Sequence, residues 1–217
     1  MSSKKRTIIV DLLRHGQPEG GEVLRGRIDH PLTETGWQQM KLVTAIDAML
    51  DNDAATSPWT ELITSPLQRC RQFAEYTSRQ TELILNIDTD WQEIDYGTWD
   101  GMLLSDWRKE AANQFREFRK DLSKLAPPEG EDYLTFRDRI VGAWDAIAAK
   151  PDGTHVLIVT HGGVMRVVLP TVLGMPLNRS YPLHIPYACL SRISLEVEEG
   201  KVSASLLSHN APINIPI

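Results

Sequence analysis

Two histidines occupy the same local setting far apart in the chain. Arg14-His15-Gly16 ends the apolar run that begins at Ile8, and His161-Gly162-Gly163 ends the run Val156–Thr160. An imidazole near neutral pH can exchange a proton or attack an electrophile. Arg14 adds a planar cation whose fork of donors suits phosphate. Arg69, in Ser65-Pro66-Leu67-Gln68-Arg69, supplies a second cation in the first turn of an expected helix. Free backbone N–H groups already favour anions at such a helix start. Gly162-Gly163 opens another helix and offers N–H groups in the same way. Glu93, in Trp91-Gln92-Glu93-Ile94-Asp95-Tyr96-Gly97, is the candidate acid–base, with Asp95 as a rival in the same loop. A carboxyl beside a bound phosphate dianion has its pKa raised, and can then protonate a leaving alkoxide. Taken singly, each of these residues reads as a strand cap or a solvated surface group. Converging on one point, they describe a phosphate pocket. No Walker loop and no dinucleotide-binding glycine fingerprint is present.

These residues need a scaffold that brings them together. A near-continuous apolar strand is usually buried on both faces of a parallel sheet, and ligands bind outside the carboxyl ends of such strands. Further strands are expected at Glu61–Thr64, Leu83–Ile87, Ser191–Val197 and Val202–Leu207. Helices are expected from Thr33, a candidate N-cap, with Trp37, Met40, Val43 and Leu50 as its apolar stripe, and from Ser65-Pro66 to about Ser78. Others are expected over about 106–124, capped by Ser105, over about 132–149, and from Gly163 to near Gly174. Asp51–Pro58 reads as a turn. Alternating strands and helices imply a three-layer α/β fold, a mostly parallel sheet with helices on both faces. The helical stretch at about 102–149 is a cap-like excursion from one domain spanning residues 1–217.

The bulk properties exclude several classes. The 217 residues carry a formal charge of -6, which argues against a nucleic-acid partner. No segment is long enough to cross a bilayer, and Lys4-Lys5-Arg6 precedes too short an apolar run for a signal peptide. Cys70 and Cys189, without CxxC spacing, read as reduced and buried in a cytoplasmic protein. A metallohydrolase is disfavoured because HxxxH-type spacing is missing and the adjacent arginines would repel a cation.

Five motifs, in order, resemble the histidine phosphatase superfamily in its phosphoglycerate mutase-like branch. They are Arg14-His15-Gly16, Pro31-Leu32-Thr33-Glu34-Thr35-Gly36, Ser65-Pro66-Leu67-Gln68-Arg69-Cys70, Glu93-Ile94-Asp95-Tyr96-Gly97 and Thr160-His161-Gly162-Gly163. The resemblance implies that His15 is a nucleophile forming a phosphohistidine. It implies that Arg14, Arg69 and His161 bind the phosphoryl oxygens, and that Glu93 is the acid and then the base. Gln17 and Gly162 complete the expected phosphate-binding set. The resemblance also implies a small-molecule phosphomonoester as partner, no metal and no cofactor, and a monomer or homodimer. The chain departs from the family pattern at Pro18 and Gly21, where many members carry Ser or Thr and Asn. It departs again at Pro186-Tyr187-Ala188-Cys189, where many have Pro-Asn-Ala-Ser. The compact segment at 127–131 looks like the small phosphatases rather than the longer mutases. Glu93–Gly101 and Gly130-Glu131 resemble the α-ribazole-5′-phosphate phosphatases of cobalamin assembly. Mutase-type phosphoryl transfer and broad-specificity phosphatase action are the alternatives. Substrate specificity is expected from residues 17–30, 97–130 and 184–188, with Arg25, Arg27, Trp107 and Arg108 as candidate contacts.

Overall fold

The computed structural model describes residues 5–47 and 57–213. Its strands are β1 (Arg6–Arg14), β2 (Glu61–Thr64), β3 (Leu85–Ile87), β4 (His155–Thr160), β5 (Leu190–Glu198) and β6 (Lys201–His209). Its helices are α1 (Glu34–Thr44), α2 (Gln68–Thr81), α3 (Leu104–Glu110), α4 (Ala112–Phe118), α5 (Tyr133–Ile147) and α6 (Gly162–Leu173). The strands form one sheet in the order β3-β2-β4-β1-β5-β6. β3, β2, β4 and β1 are parallel, and the β5–β6 hairpin joins β1 antiparallel.

The central strands are apolar along their length because both faces are covered. On one face, Ile8, Val10, Leu12, Val156 and Ile158 share a core with Phe136, Ile140 and Trp144 of α5 and Val164 and Val168 of α6. On the other, Leu13, Leu157 and Val159 pack with Met40 of α1 and Phe73 and Ala74 of α2. The result is the expected three-layer α/β arrangement. β1 and β4 pair with Arg14 opposite Thr160, so His15 and His161 leave the sheet side by side.

Asp11 is a charge inside the apolar run. It is fully buried and accepts from Arg192 Nε at 2.8 Å, Trp59 Nε1 at 2.9 Å and His155 Nε2 at 2.9 Å. Burial alone would raise its pKa; the His155 and Arg192 hydrogen bonds bring it below the ordinary value. The carboxylate thereby ties β1 to β4, β5 and the segment entering β2.

Several local expectations need correction. Thr33 caps α1, accepting from the Gly36 N–H at 2.9 Å. Ser65 does not cap α2, which starts at Gln68 and runs on to Thr81. The Gln68 N–H donates instead to Asp29 Oδ1 at 2.6 Å, so the cap comes from the 16–32 loop. The single helix expected over about 106–124 is two, broken at Ala111, and Ser105 lies inside α3 rather than capping it. The break has a packing cause. Eight residues of straight helix would separate Trp107 from Phe115 by about 12 Å. Their rings instead meet edge-on at 5.1 Å, and Phe118 is turned into the core. The loop at 88–101 carries two short 3-10 turns, Thr89–Trp91 and Gly97–Trp99. Leu50 and most of the expected turn at 51–58 lie outside the described residues. Among the described residues, no helix is long and apolar enough to cross a membrane.

Candidate active site

His15 follows the last residue of β1 and is 5% exposed. Its Nδ1 lies 2.8 Å from the Gly16 carbonyl oxygen. A carbonyl only accepts, so Nδ1 carries the proton and Nε2 keeps its lone pair. Burial, then Arg69 and Arg14, push the His15 pKa well below its ordinary value, so the ring is neutral. Gly16 has no room for a side chain: a Cβ there would lie 2.1 Å from the Gly36 carbonyl oxygen. This close approach locks the motif onto the start of α1. The His161 ring meets His15 at 5.3 Å, edge-on. His161 is fully buried, and its Nε2 bonds Ser65 Oγ at 2.8 Å. Its pKa is likewise well below the usual value, through burial and then Arg69.

The two arginines fix loops with some of their donors. Arg14 Nη1 donates to the Ile185 carbonyl at 2.7 Å, and its guanidinium stacks 4.4 Å from the Tyr187 ring centroid. Arg69 is fully buried and donates to the carbonyls of Ile28 at 2.8 Å and Gly26 at 2.7 Å. Asp100 holds the same loop by accepting three successive N–H groups, from Gly26, Arg27 and Ile28, at 2.6 to 2.8 Å. The Nε groups of Arg14 and Arg69 are buried without a hydrogen-bond partner. Buried donors of this kind are rare unless something else binds there.

Glu93 is 7% exposed. Its Oε2 accepts from the Gly163 N–H at 2.9 Å and its Oε1 from the Ile94 N–H at 3.1 Å. Burial raises its pKa, and these two hydrogen bonds oppose the rise without cancelling it. A Cβ on Gly163 would lie 2.1 Å from Glu93 Oε1, so only glycine admits this arrangement. Asp95, the rival, accepts from the Gly97 N–H at 2.9 Å within its own turn. Arg139 Nη1 donates to the carbonyls of Asp90 and Gln92, while its Nε and Nη2 bind Glu131 at 3.0 and 2.7 Å. That bidentate strut steadies the chain just before Glu93.

Arg14, His15, Glu93 and Gly162 line one cavity of about 350 Å³. Arg69 and His161, both fully buried, are not among the lining residues. Gln17 is exposed and outside the lining; its N–H donates to Gln39 Oε1 and its carbonyl accepts from Thr33. Of the expected specificity contacts, Arg25 and Trp107 line the cavity, whereas Arg27 and Arg108 do not. The Trp107 indole N–H is buried without a partner. Three further lining residues, Tyr96, Arg166 and Tyr181, were not expected as contacts, whereas Tyr187 falls in the expected specificity stretch 184–188. Arg166 stands four residues after Gly162 on α6, a spacing that shares one helix face and was there to be read. A larger open depression of about 590 Å³, bounded by Arg119, Asn178, Arg179 and Pro182, shares only Tyr181 with this cavity and touches neither histidine. Among the described residues, no cluster of three His, Cys, Asp or Glu side chains forms a metal-ligand set. The cavity thus combines a neutral imidazole with a free Nε2, flanking guanidiniums and a buried carboxyl of raised pKa. Such a set can support nucleophilic attack on an anionic ester with acid–base assistance.

The family model "Histidine phosphatase superfamily (branch 1)" matches residues 10–208. A bifunctional protein of Mycobacterium tuberculosis is 31% identical over 182 residues, which cover 83% of this chain and 48% of that one. This chain therefore spans about half the length of that relative. The adenosylcobalamin/alpha-ribazole phosphatase of Salmonella typhimurium is 25% identical over 202 residues, covering 92% of this chain and 96% of the relative. The solved mycobacterial glucosyl-3-phosphoglycerate phosphatase superposes with a TM-score of 0.74 at 23% identity, covering 96% of this chain and 100% of the other.

Proposed function

The chain belongs to the histidine phosphatase superfamily, branch 1, and from that premise we propose a metal-independent phosphomonoester hydrolase acting through phospho-His15. His15 Nε2 attacks phosphorus and the P–O ester bond breaks. Glu93, protonated, gives its proton to the departing oxygen. The resulting carboxylate then takes a proton from water, whose oxygen attacks phosphorus while the N–P bond breaks. To bind the phosphoryl oxygens, where charge accumulates, we assign Arg14 and the Gly162 backbone N–H on the cavity wall, together with Arg69, whose buried Nε lacks a partner, and His161, whose ring meets that of His15. Gln17, exposed and outside the cavity lining, is left out of this set.

The observation that carries this reading is the Nδ1–H bond from His15 to the Gly16 carbonyl, which leaves Nε2 as the free nucleophile. The substrate we propose is α-ribazole 5′-phosphate, in cobalamin biosynthesis. The Glu93–Gly101 segment and the name of the Salmonella relative support it. Free, buried Cys70 and Cys189 support action in the cytoplasm. The test is phosphate release, with a chelator present, from a panel containing α-ribazole phosphate and 3-phosphoglycerate. Release by wild type and not by His15→Ala is expected. Phosphoryl transfer to an acceptor without net release would favour the mutase alternative.

A further inference from the structure

A second, smaller cavity of about 50 Å³ adjoins the first and shares with it Tyr96, Gly163, Arg166 and Tyr181. Its own walls are mostly apolar, Ile94, Phe118, Leu125 and Phe136, with Ser180 and Tyr133 bringing hydroxyls. It lies next to Glu93: Gly163 in its lining donates to the Glu93 carboxylate, and Ile94 follows Glu93 in the chain. Tyr133 also lines it, with its ring edge-on to Phe118 at 4.7 Å. Tyr133 is 7% exposed, and its hydroxyl is buried without a hydrogen-bond partner. Leaving a buried hydroxyl unpaired is unfavourable unless a ligand completes it. Arg166, the cation in its lining, donates through Nη1 to the carbonyls of Ser180 and Leu183.

We infer that this cavity receives the leaving group, and that it selects phosphomonoesters whose alcohol carries a compact apolar end with a hydrogen-bond acceptor for the Tyr133 hydroxyl. The inference rests on the proposed hydrolase reading, in which Glu93 protonates the leaving oxygen. That oxygen then lies beside Gly163, and the carbon attached to it points toward Ile94 and the aromatic walls. Burial pushes the Tyr133 phenol up to about 12, so it stays a neutral donor throughout the working pH range.

The test uses phosphonates, which bind without turning over. Calorimetry compares inorganic phosphate, methyl- to isopentylphosphonate, and a ketone-ended chain of matched length. Affinity is expected to rise about fourfold for each buried methylene. The ketone-ended ligand should gain about fivefold from the Tyr133 hydroxyl. Tyr133→Phe should lose that gain and leave the plain alkyl series unchanged. Ser180→Val, which adds bulk at the cavity wall, should bind methylphosphonate normally and lose the chain-length gain. A flat alkyl series with ester hydrolysis intact overturns the leaving-group cavity and spares the hydrolase. Absence of both phosphonate binding and hydrolysis overturns the hydrolase reading and this inference with it.

Discussion

Glu93 Oε2 accepts the Gly163 N–H at 2.9 Å, two residues beyond His161. One hydrogen bond therefore joins the loop after β3 to the first turn of α6, and sets the Glu93 carboxyl in the cavity that His15 lines. The bond also explains why Gly163 is glycine, since any Cβ would collide with the carboxylate.

Glu93→Gln removes the proton donor and keeps the shape. Turnover of an alkyl phosphate should fall by about 10²-fold or more, the usual worth of a positioned general acid. Nitrophenyl phosphate, whose leaving group needs no proton, should lose far less. Leaving-group dependence of kcat across the two esters checks this; equal losses would remove Glu93 from the proton-transfer role.

Gly163→Ala should reproduce that pattern without touching the carboxyl itself. The methyl would displace Glu93 while leaving Arg14 and His15 in place, so inorganic phosphate should inhibit about as well as in wild type. Steady-state kinetics with both esters, plus the phosphate inhibition constant, distinguish displaced acid from a lost phosphate site.

Stability should carry the Glu93 signature too. Its folded pKa lies above its free value of 4.5, so the native state holds the proton more tightly. That stabilising contribution is full below 4.5 and is lost as pH rises through the folded pKa. The Tm of Glu93→Gln minus that of wild type should therefore increase from acid to neutral pH. His15 and His161 act in the opposite sense. Their folded pKa values lie below 6.5, so their contribution is full above 6.5 and is lost as pH falls. Both variants share that acid limb, so the difference isolates Glu93. A pH-independent difference would contradict the buried, raised carboxyl.

Arg69→Met keeps bulk and removes the guanidinium. The carbonyls of Gly26 and Ile28 would lose their buried donors, costing about 2–3 kcal/mol of stability. Phosphate affinity should fall at least about tenfold, the usual loss for a charge-assisted hydrogen bond. Denaturant unfolding and phosphate inhibition measure the two effects separately. Lost stability with unchanged phosphate inhibition would make Arg69 a loop brace only.

What could be read from the chain was what local pattern encodes. Two apolar runs ending in His-Gly demanded neighbouring buried strands, and β1 and β4 supply them. Thr33, Gly174 and the helix over about 132–149 were legible for the same reason. What depends on distant partners was not. Asp11 carried no legible role, because its partner Arg192 lies 181 residues away. Ser65 looked like a helix cap, and its Oγ does accept the Leu67 N–H at 3.3 Å, but its shorter bond is to His161, 96 residues on. The break at Ala111 follows from where Trp107 and Phe115 pack, which helical periodicity does not contain. Tyr187 lay in a noted departure from the family pattern, but its stacking on Arg14 needed the fold to bring residue 187 back over β1.

The account's central claim is the covalent step at His15. Rapid quenching during turnover, followed by peptide mass spectrometry under alkaline conditions, tests it directly. The expected result is an acid-labile phosphoryl group on the peptide containing His15, attached through Nε2, absent from His15→Ala and accumulating in Glu93→Gln with nitrophenyl phosphate. Sustained phosphate release with no labelled His15 peptide at any time, or release by His15→Ala at the wild-type rate, would contradict it.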